Sequence, residues 1–293
     1  MVDSLGAHGL GPHVVGQRVV IRRLVPGETG PSGGPAMTDV LGICTSWDEA
    51  ACTVQPESGP EVRIPLAEIV TGKPVPPRAS VRQRVSPHDA QVHGFALFPD
   101  LETYRLGNWV IRQSATATAR RANSVLAFGP SGVPGDVDAV VAHYDRPVAA
   151  VLPDSAEERL FRNRGWDLES GDADTSFQVA GTATAMRALP ASSVDVELDE
   201  TPGHVTARIG DLASGYAGTD GDWLGIGGLW VDPAARRQGL AFAIIGAFLD
   251  WGASQGATTA YLQVLGYNTA ALRLYGRLGF REHHRYRYLA LKA

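Results

Sequence analysis

Apolar and polar positions alternate along the first quarter of the chain in short runs. Val14 to Val25, Met37 to Trp47, Ala50 to Pro56 and Glu61 to Ile69 read as β-strands. Gly27 to Pro35, Asp48-Glu49 and Ser58-Gly59-Pro60 break them, and Lys73-Pro74-Val75-Pro76-Pro77-Arg78 reads as an extended linker. The pattern then becomes mixed. Pro87 to Leu97 and Val137 to Tyr144 are predicted helices, and Asn108 to Gln113, Ser124 to Phe128 and Val148 to Leu152 are predicted strands. Phe177 to Ala180, Val194 to Leu198, Val205 to Ile209 and Ala213 to Ala217 lead to an apolar strand, Trp223 to Val231. Asp232-Pro233 stops that strand, because proline has no N–H for a ladder.

The last part of the chain is patterned most clearly. A helix is predicted to begin near Arg237, with Leu240, Ile244, Phe248 and Trp251 on one face and Gly256 at its end. Thr259 to Leu265 alternates as a strand. Asn268 can cap a further helix in which Ala271, Leu274, Tyr275 and Leu278 share a face, and Gly279-Phe280 opens another strand.

The turn Arg236-Arg237-Gln238-Gly239-Leu240-Ala241 combines small residues, two arginines and the free N–H groups of a helix start. Such an end can hold a phosphate. An ordinary strand–turn–helix with two solvated arginines is the plain alternative at this point.

Composition narrows the picture. A length of 293 residues calls for two or three domains. A net charge of −5 argues against nucleic acid as the main partner, although an acidic protein can carry a local basic patch. Two cysteines, Cys44 and Cys52, give neither a disulfide framework nor zinc spacing, and a reducing cytoplasm is the plain reading. The start MVDSLGAHGLGPH lacks the features of a signal peptide, and Leu240 to Leu249 is too short to span a bilayer. No metal constellation is visible among the histidines.

The order strand, phosphate turn, helix, strand, helix ending Leu-Tyr-x-x-x-Gly-Phe resembles the GNAT superfamily of N-acetyltransferases. The family's turn pattern, Gln/Arg-x-x-Gly-x-Gly/Ala, is matched by Arg236, Gly239 and Ala241. Its second signature is matched by Asn268, Ala271, Leu274, Tyr275, Gly279 and Phe280. Leu160-Phe161-x-x-x-Gly165-Trp166 echoes that signature earlier in the chain, with Phe161 where Tyr275 stands. The expected fold is therefore α/β (α+β): a small Src-homology-3-like β-barrel at 12–75, a degenerate GNAT-like half at 84–184 and an active GNAT half at 185–293. This plan resembles a group of actinobacterial-type, histone-acetyltransferase-like proteins. The barrel is expected to pack or to make oligomer contacts, for instance in a homodimer, ahead of binding peptides. The degenerate half is expected to shape the acceptor pocket or brace the fold without holding CoA.

The resemblance implies acetyl-CoA as acetyl donor. It implies a pyrophosphate held by Arg236, Arg237, Gln238, Gly239, Leu240 and Ala241. It places the pantetheine arm along Leu229, Trp230 and Val231, and it brings Asn268, Ala271 and Tyr275 to the same site. Tyr275 is the candidate hydrogen-bond donor to the departing thiolate. The general base is not legible. Gln263 stands on the strand where some relatives carry a carboxylate. Asp220 or Asp222 could act through water, and one of His283 and His284 could face the pocket.

Arg120-Arg121, beside Asn123 and Ser124, could face an anionic acceptor; a solvated turn is the favoured reading. Relatives place one or two helices between their first two strands, whereas only Asp199 to Gly203 is available here, so the acceptor side is either open or roofed by the middle of the chain. The expected reaction is N-acetylation of a small-molecule or peptide amine by direct attack in a ternary complex. A tandem enzyme similar to mycothiol synthase is the alternative within the class, and the barrel, absent from that enzyme, counts against it. A non-catalytic acyl-CoA-binding or scaffolding protein is the alternative outside it. The sequence does not identify the acceptor.

Overall fold

The computed structural model describes residues 9–30, 33–56, 58–75, 80–170 and 174–291, in two compact units, 1–79 and 80–293. The first is all-β. Strands β1 (Arg18–Thr29), β2 (Pro35–Trp47), β3 (Ala51–Pro56), β4 (Val62–Pro65) and β5 (Ile69–Pro74) form one antiparallel sheet in the order β4-β3-β2-β1-β5. The inward positions of the alternating runs make its core: Val19, Ile21, Val40, Val54 and Ile64, with the free thiols Cys44 and Cys52. The run Glu61 to Ile69 is two strands, because Pro65 ends β4 and Leu66–Glu68 turns as a 3-10 helix before β5. Lys73 and Pro74 belong to β5, and residues 76–78 of the predicted linker lie outside the described residues.

The second unit is built on one twelve-stranded sheet. Helix α1 (Pro87–His93) and a 3-10 turn (Gly94–Leu97) precede β6 (Glu102–Leu106), β7 (Trp109–Gln113), β8 (Ser124–Leu126), α2 (Asp136–His143), β9 (Val148–Val151), α3 (Ala156–Asn163) and β10 (Trp166–Leu168). Then come β11 (Thr175–Gly181), α4 (Thr182–Ala188), β12 (Glu197–Thr201), β13 (His204–Ile209), β14 (Ala213–Asp220), β15 (Trp223–Val231), α5 (Leu240–Ser254), β16 (Thr259–Leu265), α6 (Thr269–Arg277) and β17 (Arg281–Leu291). The internal repeat is visible as topology. β8-α2-β9-α3-β10 and β15-α5-β16-α6-β17 are the same strand–helix–strand–helix–strand path, each around a parallel strand pair.

The two copies are joined by exchanged strands. β11, which follows the first copy, lies antiparallel between β16 and β17 of the second. The far end of β17 in turn lies between β9 and β10 of the first copy, with Tyr288 opposite Ala150 and Asp167 opposite Ala290. β11 is thus bonded along both edges, and Thr175 to Ala180 are all buried, so both of its faces are covered as well.

The second copy has a large core on the α5 side. Ile244, Phe248 and Leu249 of α5 are fully buried against β13, β14 and β15. Burying a side chain of that size stabilises by about 2 kcal/mol. Trp251 joins this core and its indole donates to Glu200 at 3.0 Å.

The opposite face is roofed by the start of the unit. Between β12 and β13 there is only a hairpin turn, with Thr201 opposite His204. The cover comes instead from α1 and the turn after it. The Ala96 carbonyl sits 2.2 Å from where a Cβ on Gly218 would lie, and the Tyr261 hydroxyl donates to the His93 carbonyl at 2.8 Å. Of the two outcomes open from the sequence, the roofed one holds. Among the described residues no helix is long and apolar enough to cross a membrane.

Candidate functional site

β15 and β16 pair in parallel only from Trp223 opposite Thr259 to Ile226 opposite Leu262. Beyond that pair both strands continue without bonding each other. The cause lies in β15. Tyr216 pairs with Gly227 and Ser214 with Trp230, so β15 carries one residue more than β14 over that stretch. This is a β-bulge, which bends its strand and leaves a residue out of the ladder. Gly228 sits in the bulge at φ +60. A Cβ there would stand 2.3 Å from the Tyr216 ring, and one on Gly227 would stand 2.5 Å from it. Glycine is required at 228 both for backbone conformation and for the ring.

The gap opens into a cleft of about 1100 Å³. Leu229, Trp230 and Val231 form one wall. The turn after β15 forms another part. Asp232 caps it by accepting from the Ala234 N–H at 2.7 Å, Arg237 and Gly239 adopt left-handed conformations at φ +64 and +84, and α5 starts at Leu240. The helix thus begins three residues later than the apolar pattern predicts, because two consecutive helical turns cannot pass through positive φ. Its opening N–H groups border the cleft together with Arg236, Arg237, Gly239, Leu240 and Ala241. Gln238 is exposed and does not line it.

From the other side α6 contributes Asn268, Ala271, Leu274 and Tyr275. Asn268 caps the helix, its side chain accepting from the Ala271 N–H at 3.1 Å. Tyr275 is 8% exposed, packs edge-on to Phe280, and its hydroxyl has no hydrogen-bond partner among the described residues. Burial pushes its pKa up to about 12, so the phenol is a neutral donor. Arg273 and Arg277 also line the cleft, Arg277 lying over the Phe242 ring at 5.2 Å. Their spacing of four puts them on one face of α6, a signal present in the sequence.

The candidate bases fall elsewhere. Asp220 pairs with His93 at 2.7 Å, and Asp222 accepts from Thr258 at 2.7 Å. His283 and His284 are packed against α1 and Phe177 away from the cleft wall. Gln263 does line the cleft, and its side-chain oxygen accepts from the Tyr286 hydroxyl. Among the described residues no Asp, Glu or His lines it. Among the described residues no three His, Cys, Asp or Glu side chains gather as a metal site needs.

Arg120 and Arg121 are not a solvated turn. They sit on a 3-10 turn, Arg120–Ala122, and both line the cleft. Arg120 is tied down by Glu169 and Ser170 and covers the Tyr288 ring. Arg121 reaches the Gln263 carbonyl at 3.5 Å, and its Nε is sealed from water without a partner. In the first copy of the repeat, Phe161 stands at the position of Tyr275 and is buried against Trp109 and Trp166.

Comparison with known proteins agrees with this geometry. The family model described as "Probable histone acetyltransferase Rv0428c C-terminal" matches residues 90–289. The model described as "Rv0428c N-terminal Sm-like domain" matches residues 13–73. Among solved structures, a GCN5-related N-acetyltransferase from Kribbella flavida is similar over 73% of this chain and 96% of its own, at 16% identity and a TM-score of 0.53. A conserved protein of unknown function from Staphylococcus epidermidis ATCC 12228 is similar over 72% of this chain and 99% of its own, at 12% identity and a TM-score of 0.50. At such identities the likeness is one of fold. No curated protein matches the chain.

Proposed function

The chain belongs to the Rv0428c family of probable histone acetyltransferases, and on that premise we propose that it is an acetyl-CoA-dependent N-acetyltransferase acting on a primary amine. The observation that carries this reading is the single cleft that runs from the N-terminus of α5, through the gap between β15 and β16, to Tyr275. Its parts fit the demands of a CoA thioester. The free N–H groups of α5 with Arg236 and Arg237 suit a pyrophosphate. The unpaired wall Leu229 to Val231 offers backbone groups to an extended pantetheine amide chain, and Asn268 and Ala271 close the other side. Acetyl-CoA supplies the acetyl group as a thioester.

Transfer occurs in a ternary complex. The amine nitrogen bonds to the acetyl carbon, the C–S bond breaks, the nitrogen sheds a proton to water, and the thiolate leaves. A backbone N–H released at the Gly228 bulge stabilises charge on the carbonyl oxygen. Tyr275 donates a hydrogen bond to the sulfur as it gains charge. Full proton transfer from a phenol near 12 to a thiolate near 8.5 is uphill by roughly 5 kcal/mol, so the hydrogen bond is its contribution. No carboxylate or imidazole is on the wall among the described residues, so in this reading the amine is deprotonated by solvent, and the rate should rise with pH as the neutral amine becomes available.

That same lack of a base on the wall favours a second reading, an acyl-CoA-binding protein without turnover. Calorimetry with CoA and thiol release from acetyl-CoA across a panel of amines separate the two. Binding with amine-dependent thiol release supports the transferase. Binding without release on any amine supports the sensor, and no binding removes both.

A further inference from the structure

The cleft has two ends of different chemistry. Tyr275, Leu262 and Val264 belong to the core on the α5–α6 side of the sheet. Gln263 points to the other side, where its side-chain nitrogen lies 3.2 Å from where a Cβ on Gly94 of the roof would stand. Arg121 is on this roof side too, reaching the Gln263 carbonyl, and its neighbour Ala122 is buried in the core beneath the roof. An acceptor that meets a thioester lying in the gap must approach from here.

The electrostatics of this end are unbalanced. Arg120, the neighbour of Arg121, pairs with Glu169, and Arg287, beside Arg120 and Tyr288, pairs with Asp174 at 2.9 Å. Arg121 meets none among the described residues. Around it stand the phenol rings of Tyr216, Tyr286 and Tyr288. It reaches the Gln263 carbonyl at 3.5 Å, the limit of a hydrogen bond, and donates to the Tyr286 hydroxyl, so its partners here are neutral oxygens. Nearby, Arg112 is buried over the Phe95 ring, and its guanidinium donates to Ser124, to the carbonyl at 3.1 Å and the hydroxyl at 2.7 Å. Two guanidiniums thus share an aromatic wall with no carboxylate paired to either among the described residues. A guanidinium stays charged in any such setting, and a buried charge without a partner is costly to keep.

We propose that Arg121 is an acceptor-recognition residue and that the acceptor is an amine that also carries a carboxylate. This rests on the acetyl-transfer reading above. A single planar guanidinium suits a carboxylate, which it can hold through two parallel hydrogen bonds. A phosphate calls for more donors, and the arginines that could add them, Arg236, Arg237, Arg273 and Arg277, stand on the loop before α5 and on α6. The tyrosine hydroxyls and the Gln263 amide complete a polar, uncharged surround. An acceptor such as a free amino acid would then have its carboxylate on Arg121 and its amine toward the gap.

The test uses the full chain with saturating acetyl-CoA, comparing L-amino acids with the corresponding L-amino acid amides by thiol release. Wild type should prefer the acids once each acceptor's neutral-amine fraction is allowed for. Arg121→Gln should raise KM for the acids about 10²-fold, with the amides changed less than about threefold, and Arg121→Lys should fall between. CoA affinity by calorimetry should be the same in all three, which also shows that the variants are folded. Equal use of acids and amides by wild type per neutral amine, or equal losses on both in Arg121→Gln, overturns the proposal while leaving acetyl transfer intact. If neither class turns over, equilibrium binding of the acids to wild type and Arg121→Gln, with and without CoA, decides: no difference overturns it. Failure of CoA itself to bind is a failure of the transferase reading, seen separately.

Discussion

The Nδ1 atom of His284 lies 2.8 Å from the Nδ1 atom of His283, and the chain of contacts on either side fixes which of them carries the proton. His283 Nε2 is 3.0 Å from the Val85 carbonyl, which can only accept, so Nε2 is the donor and Nδ1 of His283 is the acceptor. His284 therefore donates from Nδ1, and its Nε2 accepts from the Gln91 amide at 3.1 Å. The chain is satisfied only with both rings neutral. Burial acts in the same direction, pushing His284 down to about 3, with the His283 charge adding to it, and lowering His283 as well.

A stability prediction follows from the sign of these shifts. An unfolded chain protonates its histidines below about 6.5, while the folded one keeps His284 neutral down to about 3. The unfolded state binds more protons throughout that window, so stability is full above the unfolded pKa and falls as pH drops below it. Between pH 6.5 and 5 the loss from His284 alone is about 2 kcal/mol. The melting temperature of wild type should fall by several degrees more over that range than that of His284→Gln. Parallel melting curves for the two proteins would show that the pair does not titrate on unfolding.

The bulge in β15 supports a second prediction. At Gly228 a methyl group would meet both an unfavourable backbone conformation and the Tyr216 ring 2.3 Å away. Gly228→Ala should destabilise the protein by about 2 kcal/mol and weaken CoA more than tenfold, because the ring or the strand must move into the gap. Gly228→Ala in a Tyr216→Ala background should lose less affinity than in wild type. If the two changes simply add, the ring contact does not shape the gap.

What was legible in the chain divides along physical lines. The phosphate turn, the two helices beside it and the Asn268 cap are local, and their residues carry the information at short spacing. The strand at Phe177 was legible as a strand, but its place between β16 and β17 was not, since a period-two pattern does not name its partners. β6, β10 and α4 were missed: they are short, and Thr182–Ala188 has little apolar periodicity. Arg121 was misread for the same reason as β11. Its neighbours in sequence, Asn123 and Ser124, look like a turn, whereas its environment is made by β16 and β17, more than a hundred residues away. The roof over β14 and β15 likewise comes from α1, and nothing between β12 and β13 announces it.

The rim of arginines yields a third prediction. Arg236 and Arg237 are exposed, and no carboxylate pairs with either among the described residues; Arg236 touches only the Val231 carbonyl, at 3.4 Å. They should matter to an anion and little to folding. Arg236→Gln with Arg237→Gln is expected to weaken CoA by about tenfold at low salt, with the melting temperature unchanged within about 2 °C. The difference between variant and wild type should shrink as salt is raised, because exposed charges are screened. A deficit that persists at high salt would point to a rearranged turn instead of lost charge.

The last prediction concerns Tyr275. It lines a cleft whose wall holds no competing acid or base among the described residues, and burial holds the proton on its oxygen up to about 12. A group in that state can stabilise a departing thiolate by donating a hydrogen bond, and it does so in the transition state more than in the ground state. Tyr275→Phe keeps the ring against Phe280 and removes only the donor. Turnover should fall by about 10²-fold or less, with CoA affinity nearly unchanged. The pH profile carries a second signature. Because the hydroxyl does not ionise in the working range, wild type should show no loss of rate below about pH 10 that disappears in Tyr275→Phe. A descending limb near neutral pH that the variant lacks would mean that the phenol ionises early and acts as an acid, and unchanged turnover in the variant would leave the thiolate to be stabilised by something other than this residue.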